Sequence, residues 1–169
     1  MALPNGAWAL RDDFKSTYET IVAALDTFAE VPARRRFVVL GDVSEPPGSQ
    51  GPIYREIGAR VAEMAERLYI IGTGHQRYAA GAVRAGMHRD AVVKAGFDLN
   101  GVARDLAERL GPGDVVLLKG RDNQQLERIA LALRGVHVRC TVARCTMRGM
   151  PCENCSHLGM ADQNAKIGF

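Results

Sequence analysis

Small polar and charged residues follow four apolar runs of the sequence. These segments are Asp12-Asp13-Phe14-Lys15-Ser16, Gly41-Asp42-Val43-Ser44-Glu45, Gly72-Thr73-Gly74-His75 and Lys119-Gly120-Arg121-Asp122. In open α/β sheets, ligands bind beyond the carboxyl ends of the strands, so these residues are the first candidates for a site. The first segment also precedes a predicted helix, whose free N–H groups favour an anion. Taken singly, each segment is equally typical of a helix cap, a turn or a strand-end lysine that leaves the core.

Four cysteines lie close together near the end of the sequence. They are Cys140, Cys145, Cys152 and Cys155, and His157 follows them. In a reducing compartment such a group indicates a metal before a disulfide, because four sulfurs satisfy tetrahedral Zn²⁺. The spacing therefore predicts a structural zinc site, with His157 as an alternative ligand to Cys140. Unliganded thiols and a redox-active pair of Cys152 and Cys155 are the competing interpretations.

Several familiar catalytic motifs are absent from the sequence. It contains no G-x-x-x-x-G-K-[ST] phosphate loop, no G-x-S-x-G nucleophile elbow and no H-E-x-x-H metal motif. Gly72 and Gly74 follow an apolar run, but Arg77 stands where a dinucleotide fingerprint has its third glycine. We therefore expect neither a self-contained ATPase or hydrolase nor a nicotinamide site.

The elements that must position these residues alternate along the chain. Apolar runs predict strands at 7–13, 36–42, 68–72, 91–96 and 114–119, and a last one at 136–140. Helical spacing predicts helices after Ser16, which forms a capping box with Glu19, over 53–64 and 76–86, from Asp98 or Asn100 to Leu110, and from Gln124 to Leu133. The alternation predicts an α/β, Rossmann-like fold with about six mostly parallel strands and helices on both faces.

Composition limits the class of protein. The 169 residues are 47% hydrophobic and 24% charged, as in one globular domain, which excludes disorder, collagen and coiled coil. No apolar run approaches the roughly 18 residues of a membrane helix, and the first residues do not resemble a signal peptide, so we expect a cytoplasmic protein with no membrane partner. The α/β rhythm ends near residue 140, which divides the chain into an α/β domain (1–139) and a cysteine-rich tail (140–169).

Arginine dominates the basic residues, supplying 18 of 22, although the net charge is only +3. Such a balance does not by itself indicate nucleic acid. Between Glu127 and Glu153 there is no acid, while five arginines accumulate: Arg128, Arg134, Arg139, Arg144 and Arg148. Arginine suits forked recognition of carboxylates and phosphates, but a GC-rich genome would give the same bias.

The order of the motifs resembles the C-terminal domain of the Mur ligases, closest to the type that adds the D-alanyl-D-alanine dipeptide. The resemblance runs in register from about residue 8 to 135. It is carried by Leu10-Arg-Asp-Asp-Phe-Lys-Ser-Thr-Tyr-Glu19, Val38-Val-Leu-Gly-Asp42, Tyr54-Arg-Glu-Ile-Gly58, Gly113-Asp-Val-Val-Leu-Leu-Lys-Gly120 and Leu126-Glu-Arg128.

This resemblance implies part of an ATP-dependent carboxylate–amine ligase of peptidoglycan synthesis. In such enzymes ATP phosphorylates a carboxyl group, and an amine then attacks the acyl phosphate. The C-terminal domain closes over a central ATPase domain and holds part of the Mg-ATP and the incoming amino acid or dipeptide. The resemblance implies nucleotide contacts at Asp13 and Asp12, and an amine-substrate pocket lined by Lys119, Gly120 and Arg121. The positions of Lys15 and Asp42 after their strands add the first to the predicted nucleotide side and the second to the predicted substrate side.

Departures from the family pattern leave a second hypothesis open. The loop Phe14-Lys-Ser-Thr-Tyr18 replaces a Tyr-Asn-Ala-Asn-Pro sequence, and Tyr54 replaces a histidine. The chain also lacks the family's central and sugar-nucleotide domains, so we expect catalysis only with a separate ATPase domain. The alternative is a non-catalytic, zinc-containing interaction module in which tail arginines contact a partner.

Overall fold

The computed structural model describes residues 1–46, 48–147 and 149–160. Within these residues the strands are β1 (Trp8–Asp12), β2 (Arg36–Leu40), β3 (Arg67–Ile71), β4 (Val92–Gly96) and β5 (Val115–Lys119). The helices are α1 (Tyr18–Glu30), α2 (Gln50–Ala62), α3 (His75–Arg84), α4 (Leu99–Arg109) and α5 (Glu127–Leu133). Short 3₁₀ turns occur at Arg89–Ala91, Asp122–Gln124 and Cys152–Asn154.

The five strands form one parallel sheet in the order β1-β5-β2-β3-β4. The most apolar strands, β2 and β5, lie at or next to the centre, where both faces of a strand are covered. One hydrophobic core lies between the sheet and helices α4 and α5, and the other lies between the sheet and helices α1, α2 and α3. The α/β prediction with helices on both faces is therefore confirmed.

The predicted strand at 136–140 is not formed, so the described sheet has five strands rather than six. Its backbone donors bond elsewhere: Val136 N donates to Leu131 O, and the N–H groups of Arg139 and Cys140 both donate to Leu158 O. These hydrogen bonds hold the segment against α5 and against the backbone of Leu158. The alternation of residues 136–140 therefore predicted a strand, whereas contacts with α5 and Leu158 determine the conformation.

The start of α1 also differs from the prediction. Thr17, not Ser16, caps the helix, and its hydroxyl accepts from Thr20 N at 3.4 Å. Ser16 is fully buried, its carbonyl accepts from Ser44 N, and its hydroxyl has no hydrogen-bond partner among the described residues. Ser16 therefore belongs to the loop that joins β1 to α1 and packs beside the end of β2.

Residues 140–160, which we call the cysteine tail, follow the α/β elements. Arg148 and residues 161–169 lie outside the described residues. In the tail, Cys152 and Leu158 are buried against Leu131 of α5, and Val138 packs beside them. The division of the chain at residue 140 stays a prediction. No helix of the described segments is long and apolar enough to cross a membrane.

Candidate functional site

The parallel sheet brings the predicted polar segments to one edge. Because all five strands run in the same direction, Asp12, Asp42, Gly72 and Lys119 lie at or just beyond their carboxyl ends. The strands β1, β5 and β2 are direct neighbours, so the segments that follow them are also adjacent. We call this surface the carboxyl edge.

Lys119 lies beneath this edge, at the end of β5. Its side chain is 0% exposed, and its ammonium donates to Asp12 Oδ2 at 2.8 Å. It also donates to the carbonyl oxygen of Lys15. The buried ammonium thus links the end of β1 to the loop that follows it. The side chain of Asp12 is half-exposed and that of Lys15 is exposed, so both reach solvent above the lysine.

Asp13 lines a cavity of about 200 Å³ at the carboxyl edge. Arg11 Nε donates to its Oδ1 at 3.3 Å, and the same guanidinium donates to Glu127 at 3.1 Å. Burial raises the pKa of the Asp13 carboxyl, although the Arg11 charge acts in the opposite direction. The remaining lining residues come from the loops that follow β1 and β5 and from the tail: Phe14, Asp122, Gln125, Gly149, Met150 and Pro151.

Asp42 is buried between the ends of β2 and β3. Its Oδ1 accepts from Thr73 N at 2.8 Å and from Gly74 N at 3.0 Å, just before α3 begins. The carboxylate approaches Gly72 so closely that an added Cβ there would lie 2.2 Å from Oδ2. Asp42 therefore fixes the turn after β3 and presents little of its carboxylate to solvent.

Gln124 connects three strand ends, a role that the sequence patterns did not reveal. Its Oε1 accepts from Asp42 N at 3.1 Å and from Arg121 N at 3.2 Å, while its Nε2 donates to Ile71 O at 3.3 Å. Gly41 allows this approach, because a Cβ there would lie 2.0 Å from the Gln124 oxygen. One sequence feature could have drawn attention to Gln124: it is a polar residue at the start of the helix predicted from Gln124 to Leu133, most of whose other residues are apolar.

Gly120 and Arg121 complete the predicted substrate residues. An added Cβ at Gly120 would lie 2.6 Å from Leu126, so the glycine lets the chain turn tightly against the start of α5. Arg121 is half-buried and precedes the 3₁₀ turn at Asp122–Gln124. Arg121 thus lies at the carboxyl edge as predicted, with its backbone fixed by Gln124.

Each cysteine lies in a different setting within the tail. The backbone N–H of Cys152 donates to Glu127 Oε2, and its thiol donates to Gln125 Oε1 at 3.1 Å. Burial raises the pKa of the Cys152 thiol to about 12; the Glu127 charge adds to the rise and the Arg128 charge opposes it.

The other thiols are half-buried, and the predicted alternative ligand is exposed: Cys140, Cys145 and Cys155, with His157. Within the described residues, no three His, Cys, Asp or Glu side chains lie close enough together to share a metal ion. The zinc site stays a prediction.

One tail arginine reaches the carboxyl edge. Arg144 Nη2 lies 4.0 Å from Asp42 Oδ2, and its guanidinium lies 5.8 Å from the centre of the Phe97 ring. Its side chain is 58% exposed, so most of its N–H donors face solvent. The backbone is held on both sides, because Val142 O accepts from Arg128 and Cys145 N donates to Asn123 O. Arg144 therefore has a defined place beside the predicted substrate residues.

Comparisons with known structures agree with this architecture. MurF ligase from Thermotoga maritima, in complex with ADP, is 19% identical with a TM-score of 0.58, covering 77% of this chain and 28% of that chain. MurF from Acinetobacter baumannii is 16% identical with a TM-score of 0.60, covering 75% of this chain and 28% of that chain. A domain assigned to a UDP-N-acetylmuramate ligase from Haemophilus ducreyi is 15% identical with a TM-score of 0.53, covering 80% of this chain and 94% of that chain.

These identities show a shared fold, and the chain spans only 28% of the length of the two MurF chains. No curated protein sequence matches it. A family model described as Mur ligase, glutamate ligase domain, matches residues 2–121 and confirms the resemblance inferred from the motifs. Since this match includes more than two thirds of the 169 residues, the chain belongs to the Mur ligase family through its glutamate ligase domain.

Proposed function

We propose that this domain forms the ligand-binding C-terminal part of an ATP-dependent ligase that joins a carboxyl group to an amine. The observation that carries the proposal is the position of Asp13. Its carboxylate lies in a cavity at the carboxyl edge, and burial raises its pKa. Among the residues that the structure describes, it pairs with one guanidinium, that of Arg11, which Glu127 also contacts. A carboxylate in such surroundings has unused capacity to bind a cationic group or a nucleotide hydroxyl.

The end of β1 is the proposed nucleotide side of the site. Asp13 would contact the nucleotide, and the exposed Lys15 side chain supplies a cation for a phosphate. Lys119 supports both from beneath, since its ammonium is bonded to Asp12 and to the Lys15 carbonyl. The half-exposed Asp12 carboxylate offers oxygen atoms of the kind that Mg²⁺ prefers. A structurally similar MurF was determined with ADP, which supports this assignment.

The ends of β2 and β5 are the proposed side for the incoming amino acid or dipeptide. Arg121 and Arg144 carry guanidinium groups suited to forked binding of the substrate carboxylate. Asp42 fixes the turn after β3, and Gly120 allows the tight turn after β5, so both determine the backbone beside these arginines. Because Lys119 is fully buried, its proposed contribution to the substrate is to position the edge rather than to touch the ligand.

Catalysis in this proposal needs a second domain. The sequence has no phosphate loop, so a central ATPase domain, in the same chain or a separate one, would supply phosphoryl transfer. Closure of the present domain over that partner would bring the amine to the acyl phosphate and exclude water. The residues of the carboxyl edge would then bind and orient both ligands.

Ligand-dependent stabilisation tests the proposal. We would measure the Tm of this chain with Mg-ATP, Mg-ADP, D-alanyl-D-alanine and single amino acids, because a ligand that binds only the folded state raises its stability. We expect Asp13→Asn to abolish the nucleotide shift and keep the dipeptide shift, and Arg121→Gln to do the reverse. Asp90→Asn is the matched control, since Asp90 is an exposed carboxylate near the opposite end of the sheet.

If none of these ligands shifts the Tm, and none does so after a central ATPase domain of a Mur ligase is added, the ligase proposal is wrong. The same protein would then be assayed for partner binding that depends on Arg139, Arg144 and Arg148, as the interaction-module hypothesis requires.

A further inference from the structure

The cysteine tail keeps a defined path although it buries very little apolar surface. Within the described part of the tail, only Cys152 and Leu158 are buried, and its one regular element is the turn at Cys152–Asn154. Ordering each residue costs conformational entropy, which in a folded segment is offset mainly by apolar burial. Two buried side chains cannot offset the cost for about twenty residues. Another interaction must therefore hold the tail.

Arg128 of α5 supplies a buried positive charge beneath the tail. It is only 2% exposed, and among the described residues no carboxylate forms an ion pair with it. Its guanidinium donates to Val142 O at 2.8 Å, to both the carbonyl oxygen and the sulfur of Cys140 at 3.1 and 3.4 Å, and to the carbonyl oxygens of Gln124 and Gln125 at 3.3 Å. All of these acceptors are uncharged, and a buried cation without an anionic partner is costly, so the contact with the Cys140 sulfur suits an anionic cluster bound there.

Hydrogen bonds hold the cysteine-bearing segments around this guanidinium. Cys140 N donates to Leu158 O at 3.1 Å, and Leu158 N donates to Cys155 O at 3.0 Å. Cys155 N donates to Cys152 O at 3.0 Å within the turn. Cys145 N donates to Asn123 O at 2.7 Å, which fixes the remaining cysteine to the loop after β5. Each of the four cysteines is thus held by a hydrogen bond of its own backbone.

We propose that Cys140, Cys145, Cys152 and Cys155 bind one Zn²⁺ as thiolates, with Arg128 as the buried counter-charge. Zinc binding would release the thiol protons to solvent and replace four separate sulfurs by one anionic cluster. The thiols do not yet meet at metal-binding distance, so binding must draw in the half-buried Cys145 and Cys155. The metal would close the tail over α5 and hold Arg144, Met150 and Pro151 at the carboxyl edge.

Metal content and thiol reactivity test this site directly. We would purify the full chain without chelator, measure its metals by mass spectrometry, and count reactive thiols with Ellman's reagent before and after a zinc chelator. We expect one Zn²⁺ per chain and four thiols that react only after the chelator is added. Absence of zinc after expression with added zinc, together with four immediately reactive thiols, would overturn the proposal. Iron with acid-labile sulfide would also overturn it.

Cobalt substitution and point variants identify the ligands. Tetrahedral Co²⁺ bound by thiolates has a characteristic visible absorption, and serine at any of the four cysteines should weaken or shift it. His157→Ala is the matched control and should leave the spectrum unchanged. A Cys140→Ser chain that keeps the spectrum, with a His157→Ala chain that loses it, would overturn the four-cysteine assignment. Far-UV circular dichroism of each variant separates loss of the metal from loss of the fold.

Arg128→Met tests the counter-charge. If the guanidinium stabilises the thiolate cluster, this variant should bind zinc with the same stoichiometry and an affinity at least tenfold lower in competition with a chromogenic chelator. Arg134→Met is the comparison, because Arg134 is an exposed arginine at the end of the same helix. Equal affinities of the two variants would overturn the role of Arg128.

Discussion

The two ends of the parallel strands carry buried carboxylates in opposite electrostatic settings. At the amino end, Asp114 is fully buried and is held by Arg34 at 3.1 Å and by Arg35 at 2.6 Å. Burial opposes its ionisation, but hydrogen bonds from Arg35 and Arg34 keep the pKa of Asp114 at about 2. At the carboxyl end, burial raises the pKa of Asp13, whose one guanidinium partner within residues 1–46, 48–147 and 149–160 also contacts Glu127.

This difference separates charges that serve the fold from charges that are available to a ligand. The Asp114 carboxylate has its partners within the chain, so its ionisation stabilises the folded state. At the carboxyl edge, the Asp13 carboxylate is disfavoured by burial and shares the Arg11 guanidinium with Glu127. Carboxylates with a raised pKa cluster at functional sites. The same sheet thus uses acids for stability at one end and, in our proposal, for binding at the other.

The largest expected effect concerns the turn that Asp42 holds. Gly72 has a φ of +103°, and a Cβ there would lie 2.2 Å from Asp42 Oδ2. We expect Gly72→Ala to lower the free energy of unfolding by about 3 kcal/mol or more, because it adds backbone strain to a steric conflict with a buried carboxylate. Urea unfolding at equilibrium measures the change.

Gly86→Ala is a matched control for this prediction. Gly86 has the same φ of +103°, but no atom lies within 4 Å of an added Cβ. It should therefore lose only the strain component, about 1–2 kcal/mol. Equal losses of stability at the two glycines would mean that the Asp42 side chain moves away from an added Cβ at no cost, which would contradict the close packing at Gly72.

The next effect lies at the amino end. Asp114→Asn removes a charge that two arginines and Gly111 N contact, so we expect a loss of about 2 kcal/mol. This corresponds to a decrease in Tm of roughly 4–8 °C for a chain of this length. Asp26→Asn, which breaks an exposed pair with Arg60, should cost under about 0.5 kcal/mol. A similar loss for both substitutions would mean that burial of Asp114 adds nothing to the stability that its ion pairs with Arg34 and Arg35 provide.

Periodicity and apolar runs were enough to predict the sheet, because strands buried on both faces have a distinctive composition. Prediction failed where local pattern and tertiary contact disagree. Residues 136–140 alternate like a strand, yet Arg139 N and Cys140 N both bond to Leu158 O, which is far along the chain. Ser16 and Thr17 are both good helix caps, and only the burial of Ser16 beside Ser44 decides between them.

The site could be predicted in position but not in detail. Strand direction alone placed Asp13, Asp42 and Lys119 at one edge. Whether each side chain faces solvent depends on partners distant in sequence, such as Asp12 for the buried Lys119 ammonium. Gln124 escaped notice because an amide has no charge or motif to mark it, and its hydrogen bonds exist only after three strands have assembled.

The two ends of the sheet should also differ in how the free energy of unfolding depends on pH. Since the pKa of Asp114 is about 2 in the folded chain and 3.8 ordinarily, its stabilisation is fully present above about pH 4 and is lost as the pH falls toward 2. Asp13 acts in the opposite direction, because its raised pKa makes protonation favour the folded state. We expect the free energy of unfolding of the wild type to fall as the pH is lowered from about 4 to about 2, the interval between the two pKa values of Asp114, and to fall less in Asp114→Asn. If the free energies of unfolding of the two proteins changed equally with pH, ionised Asp114 would not be the group that stabilises the fold above about pH 4.

The smallest expected effect on stability is at Asp13. Burial disfavours ionisation of this carboxyl. When Asp13 is neutralised, Arg11 still has its ion pair with Glu127. Asp13→Asn should therefore change the free energy of unfolding at pH 7 by no more than about 0.5 kcal/mol, within the range of substitutions that break no buried network. Urea unfolding of Asp13→Asn beside Asp114→Asn measures both ends under identical conditions. A loss at Asp13 as large as that at Asp114 would show that Asp13 serves the fold and would remove the physical reason for assigning the carboxyl edge to a ligand.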